Sequence, residues 1–136
     1  MSWVTDRQTT IYSRVDAILM SKLADRYPNL NVTMDNALPQ DAQFPTVYIN
    51  FIGSSEAGQT LDGQTINAVN MTVEAHIKTT HEQGVLDNNE IAWDVVEAFK
   101  TMGFSATMPN IPISNIEGVY ESVSRFSRII GQGDTI

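Results

Sequence analysis

The chain has 136 residues, 42% of them apolar and 18% charged, with no cysteine and a net charge of −8 from 16 acidic and 8 basic residues. These values describe one globular domain over residues 1–136. They exclude a disulfide scaffold, a thiolate metal site and a protein that grips nucleic acid by displacing counterions with Lys and Arg. No stretch approaches the ~20 apolar residues of a membrane span, and Met1 to Arg7 lacks the basic start and apolar core of a secretory signal.

The first element is an amphipathic helix. Ile11, Val15, Ile18, Leu19, Leu23 and Tyr27 recur at helical spacing, and Arg7, Arg14, Lys22, Asp25 and Arg26 fall outside that stripe. Thr5 or Asp6 is the expected cap, and Pro28 the stop, because a residue before proline avoids helical angles. Asn31 to Met34 reads as a short edge strand, and Asp35 to Gln43 as a polar linker.

Phe44 to Thr80 is the most legible segment. Thr46 to Ile52 is a strand, and Gly53 to Gly63 a polar loop. Gln64 to Thr80 is a longer strand in which Val69, Met71, Val73, Ala75 and Ile77 alternate with Asn70, Thr72, Glu74, His76 and Lys78. Alternation of that kind makes one greasy and one wet face. Asp87 to Glu90 resembles a capping box opening a second helix, with Ile91, Val95, Ala98, Phe99 and Met102 as its stripe and Gly103 as a left-handed cap. Trp93 lies off that stripe. Phe104 to Met108 is a short strand broken by Pro109 to Pro112. Ile116 to Ile130 is the last strand, its parity slipping near Ser124 and Arg125 as a bulge would cause; a similar slip follows Ile66, and Gly131 to Ile136 is a tail. Helix, strands, helix, strands is an α+β order: an antiparallel or mixed sheet with two α-helices packed on one face and a long β-hairpin with an extended loop.

Chemistry is sparse. Glu74 and His76 share a strand face and His81 follows, which is the best set for a metal or for acid–base work. Polar residues alternating on a wet strand face produce such pairs routinely, so the set is weak. No glycine-flanked serine elbow, phosphate-cradling glycine motif or calcium-spaced carboxylate run occurs. Tyr48, Asn50, Asn70, Thr72, Ser122 and Ser124 are uncharged strand groups that tolerate desolvation against a partner better than charges do. The reading is a binding role rather than an enzymatic one, with no cofactor and no metal.

The run Phe44-Pro45-x-Val47-x-Ile49, followed by Gly53, Glu56, Gly58, Leu61 and Asp62 and a long alternating strand, resembles the tail terminator proteins of long-tailed phages of the lambda type. The likeness spans Ile11 to Ile130 in the order of its elements. It implies a structural virion protein that sits as a homo-oligomeric, hexameric ring on the last ring of tail tube protein. Such a ring ends tube polymerisation and offers a surface to the head connector or stopper protein. It places the protein in the virion tail or neck, and in the host cytoplasm during assembly, with DNA passing through an acidic lumen without specific binding. The loop Gly53, Ser54, Ser55, Glu56, Ala57, Gly58, Gln59, Thr60, Leu61, Asp62 and Gly63 would touch the neighbouring subunit or tube. Asn70, Thr72, Glu74 and His76 would form the interface strand face. The alternatives are a head-completion or connector neck protein, a small metal-dependent enzyme using Glu74, His76 and His81, and a stand-alone ligand-binding domain.

Overall fold

A computed structural model of the protein describes residues 3–34, 44–59, 66–80, 84–116 and 118–136. Its elements run α1 (Trp3–Leu23), β1 (Asn31–Thr33), β2 (Thr46–Gln59), β3 (Ile66–Thr80), α2 (Gly84–Thr101), β4 (Ser105–Ile116) and β5 (Val119–Gly131). The five strands form one sheet in the order β1-β2-β3-β5-β4. Only β1 lies parallel to its neighbour; every other pair is antiparallel. The fold is thus the α+β sheet-and-helix layer that the order of elements predicts.

The apolar stripes explain the layering. Ile11, Val15 and Leu19 of α1 and Ile91, Val95 and Phe99 of α2 are fully buried in one cluster with Val47, Ile49, Met71, Val73, Ala75, Ile77 and Phe126 of the sheet. Hiding each large side chain of this set stabilises the fold by about 1.5–3 kcal/mol. Phe99 and Phe126 stack with ring centroids 4.3 Å apart, and Phe104 meets Phe99 edge-on at 5.3 Å, so α2 is locked to both β5 and the start of β4. On the surface Lys22 bridges to Glu97 at 3.0 Å, and Arg26 to Asp87 and Glu90, tying α1 and the turn that follows it to α2.

Several boundaries differ from expectation. α1 begins at Trp3, so Asp6 lies inside its first turn, and it ends at Leu23, ahead of Pro28, in a turn closed by Tyr27 N–H donating to the Leu23 carbonyl. α2 begins at Gly84, three residues before Asp87. Asp87 therefore lies inside the first turn and is not the cap, and the residue after it, Asn88, has a different task. It is buried, donating to the Ile77 carbonyl at 2.9 Å and accepting from the Ser122 hydroxyl at 2.6 Å, and it fastens the helix start to two strands. Gly103 does end α2, at φ +81°.

The segment expected to be a loop from Gly53 is strand as far as Gln59, paired with β3; Thr60 to Gly63 lie outside the described residues. β4 is not broken at Pro109 to Pro112: it continues to Ile116, absorbing the prolines through register irregularities and Asn110 at φ 49°. β5 has no bulge against β3, the register being continuous from Ala68↔Gly131 to Thr80↔Val119. The parity slip has another cause. Val123 faces the sheet's second side while Phe126 and Ile130 face the helices. Near Ile66 the expected irregularity is present, where Gly58↔Ala68 gives way to Gln59↔Ile66. The last residues are tied rather than loose: Arg7 donates to the Gln132 carbonyl, Arg14 to that of Ile136 and Arg128 to that of Thr135.

Candidate assembly surface

The ladders assign each strand residue to a face. Val73 opposes Phe51 and Phe126 on the helix side; Glu74 opposes Asn50 and Arg125 on the other. Among the described residues no helix covers that second face. Rows cross it from strand to strand: Tyr48, His76, Val123 and Ile111; then Asn50, Glu74, Arg125 and Met108; then Thr72 and Ser127. The expected interface residues Asn70, Thr72, Glu74 and His76, with Tyr48 and Asn50, are all here. Ser122 and Ser124 are not. They point into the helix side and are buried, Ser124 completely, where Ser122 meets Asn88 and Ser124 accepts from Asn110 N–H at 2.9 Å.

An ion network occupies the centre of the open face. His76 Nδ1 lies 2.8 Å from Glu121 Oε2 and Nε2 lies 3.1 Å from Glu74 Oε1. Both nitrogens can donate only in the protonated ring. The Glu121 carboxylate, and after it that of Glu74, hold the His76 pKa above its ordinary 6.5 against the opposing pull of burial. The Arg125 guanidinium donates to Glu74 Oε2 through Nε, at 3.2 Å, and Nη2. It holds the Glu74 carboxyl below its ordinary value, and His76 does the same to Glu121. Tyr48 covers the imidazole, ring centroids 5.6 Å apart. Below this cluster Ser127 donates to Asn70 Oδ1 at 2.7 Å.

This geometry bears on the metal set. Glu74 and His76 do meet, yet each imidazole nitrogen is already engaged by a carboxylate, and Arg125 holds the remaining Glu74 oxygen. Among the described residues no group of three or more His, Cys, Asp or Glu is arranged to hold a metal ion, and His81 lies outside them. Sequence reasoning missed Glu121 and Arg125, whose role depends on which strand neighbours β3; only their place on alternate positions of β5 hinted at a wet face.

The second candidate region is the outer part of the β2–β3 ribbon. Residues 53–57 of β2 are exposed on both faces, whereas Val47 and Ile49 are fully buried. One bulge separates the two parts, and two further irregularities, at Glu56/Gly58 and Gly58/Gln59, lie within the outer one. Ile52 is the extra residue between Phe51↔Val73 and Gly53↔Thr72, and its side chain is 42% exposed. Each bulge bends the strand and sharpens its local twist. Gly58 lies so close to β3 that a Cβ there would stand 2.8 Å from Asn67 Oδ1. Further exposed apolar groups are Ile111 and Ile113 on β4, Ile129 on β5, and Leu86 and Trp93 on α2. Among the described residues no helix is long and apolar enough to cross a membrane. Comparison of the chain with protein-family models and with curated proteins finds no match to either.

Proposed function

We propose that the protein is a structural subunit of a long-tailed phage, assembling as a ring that caps the tail tube and presents a joining surface to the head. The observation that carries this reading is the outer β2 ribbon. Seven residues beyond the bulge at Ile52, Gly53 to Gln59, hold strand geometry while residues 53–57 are exposed on both faces. A strand needs a partner to hide its backbone and side chains, and a contact element that docks on a neighbour fulfils that need.

The order of elements along Ile11 to Ile130 supports the same reading, as does the open face. Its groups neutralise each other locally, through His76 with Glu121 and Glu74 with Arg125. A surface of paired charges and amides docks at lower desolvation cost than one of unpaired charges. The lumen expected to be acidic needs a different source from this face. Glu74 and Glu121 there are matched by His76, Lys78 and Arg125, and the acidic excess includes Glu56 on the ribbon and α2, where Asp87, Glu90, Asp94 and Glu97 outnumber the Arg26 and Lys22 that bridge to that helix.

In this account function is binding, without a catalytic step. A ring is a closed heterologous assembly, in which one surface of each subunit meets a different surface of the next. Electron microscopy of the purified protein, alone at high concentration and mixed with tail tubes, tests it. Rings with a central hole, seated at one end of each tube, are expected. Particles that remain single in both samples would overturn the proposal.

A further inference from the structure

Resting on the ring reading, we propose how neighbouring subunits join: β2 of one copy pairs edge to edge with β4 of the next, so that the backbone ladder runs on through the ring. β2 has 14 residues and is flanked on one side by β3 along nearly all of them. On its other side β1 covers only Thr46, Val47 and Tyr48. From Ile49 to Gln59, among the described residues, the second edge of β2 carries no strand. An open edge is a row of donors and acceptors ready for another chain. Exposed strands ordinarily blunt that hazard with proline, lysine or bulges; Ile49 to Gln59 contains neither proline nor lysine, and its bulges leave Gly53 to Glu56 as an unbroken run of edge.

The other outer edge of the sheet is β4, with 12 residues, close in length to the open part of β2. Polarity suits the joint. β2, β3, β5 and β4 alternate in direction, so β4 runs opposite to β2. Copies related by rotation about a ring axis keep their orientation, and β4 of one therefore meets β2 of the next antiparallel, the more stable ladder.

The heights of the two edges also fit. The middle of the open β2 edge, Ser54, lies level with Met71 of β3. The middle of β4, near Ile111, lies level with Val123 and thus with His76 of β3. The edges are offset by about five residues across four strands. Paired side chains must share a face, so the stagger per subunit is about four or six residues. With rises near 3.3 Å and strands about 4.8 Å apart, those staggers tilt the strands by roughly 35–45°, the tilt at which sheets close into barrels. Pro109 and Pro112 lie where a sheet tolerates proline, on an outer strand. Lacking N–H groups, they narrow the registers in which β4 finds a partner. Ile52, Ile111 and Ile113, each 42–49% exposed, flank the two edges and are shielded once these meet.

Ser55 faces the open side opposite Asn70, and Met108 and Ile111 face it opposite Arg125 and Val123. The absence of native cysteine makes engineered pairs readable. Ser55→Cys, Met108→Cys and Ile111→Cys proteins are made separately, checked for native circular dichroism, mixed in pairs and oxidised, with assembly state followed by sedimentation. The joint predicts a disulfide-linked dimer when Ser55→Cys meets Met108→Cys or Ile111→Cys, and none from Ser55→Cys alone, because directly opposed strand residues lie within disulfide reach. Rings that form without a cross-link in either mixture would overturn the joint while leaving the ring intact. A cross-link from Ser55→Cys alone would overturn it in favour of a two-fold β2–β2 contact. Monomers in every sample, tail tubes included, would remove the ring reading itself.

Discussion

The inner and outer parts of β2 belong to one continuous strand and share one partner, yet they live in different worlds. Thr46 to Phe51 is packed on both sides, with the helices beneath Val47 and Ile49 and the Tyr48–His76 contact above. Gly53 to Glu56 also pairs with β3, residue for residue, yet Gly53 to Ala57 is exposed on both faces. Hydrogen bonding is therefore common to both, and burial separates them. Backbone pairing contributes little net stability because water offers the same bonds to an open chain, so the inner part holds the fold and the outer part is free to serve contact.

That contrast predicts a graded series. The largest effect belongs to Val73→Asp. Val73 is fully buried between Phe51 and Phe126, and a carboxylate there has no cation to meet. The variant is expected to be unfolded at 25 °C by circular dichroism; a soluble, native spectrum would reverse the assignment of the two sheet faces. Phe126→Ala removes the ring stacked on Phe99 and is expected to cost about 3–5 kcal/mol in urea unfolding. A cost below about 1 kcal/mol would mean that the helix layer collapses to fill the space.

The ion network gives an intermediate, pH-dependent effect. His76 has a raised pKa, so its contribution is complete below its ordinary value of 6.5 and is lost as pH rises through the folded value. Glu74 and Glu121 have lowered values, so theirs is present above 4.5 and is lost as pH falls. Stability of the wild-type protein is expected to plateau between about pH 4.5 and 6.5 and to fall on both sides. His76→Gln should flatten the alkaline limb. An unchanged limb in that variant would place the titrating group elsewhere.

The smallest effect on the fold belongs to the outer ribbon. Ser54→Ala with Ser55→Ala is expected to shift unfolding by no more than about 0.5 kcal/mol, as exposed substitutions do. A larger loss would make Gly53 to Ala57 part of the folding core.

Legibility in the sequence followed the same division. The alternation of Val69 to Ile77 and the helical spacing of Ile11, Val15 and Leu19 announced burial directly, and the layer followed from it. Gly53-Ser54-Ser55-Glu56-Ala57-Gly58 carries no alternation because neither face is buried, so its strand geometry is imposed by pairing with β3 and reads as a loop. Asp87 to Glu90 looked like a capping box because an acid followed three residues on by Glu is one; the burial of Asn88 within it depends on β5 lying beside β3, a long-range pairing that local pattern does not encode. Glu121 and Arg125 were silent for the same reason. Ser122 and Ser124 were grouped with the contact residues because β5 carries serines, rather than apolar residues, where it meets Asn88 of α2 and Asn110 of β4.

The most direct measurement is growth of tail tubes from purified tube subunits with this protein added at rising concentration. The account predicts that elongation halts, with each tube ending in a ring and mean length falling as the ratio of this protein to tube subunit rises. Tubes that lengthen at an unchanged rate, their ends bare at every ratio, would contradict it.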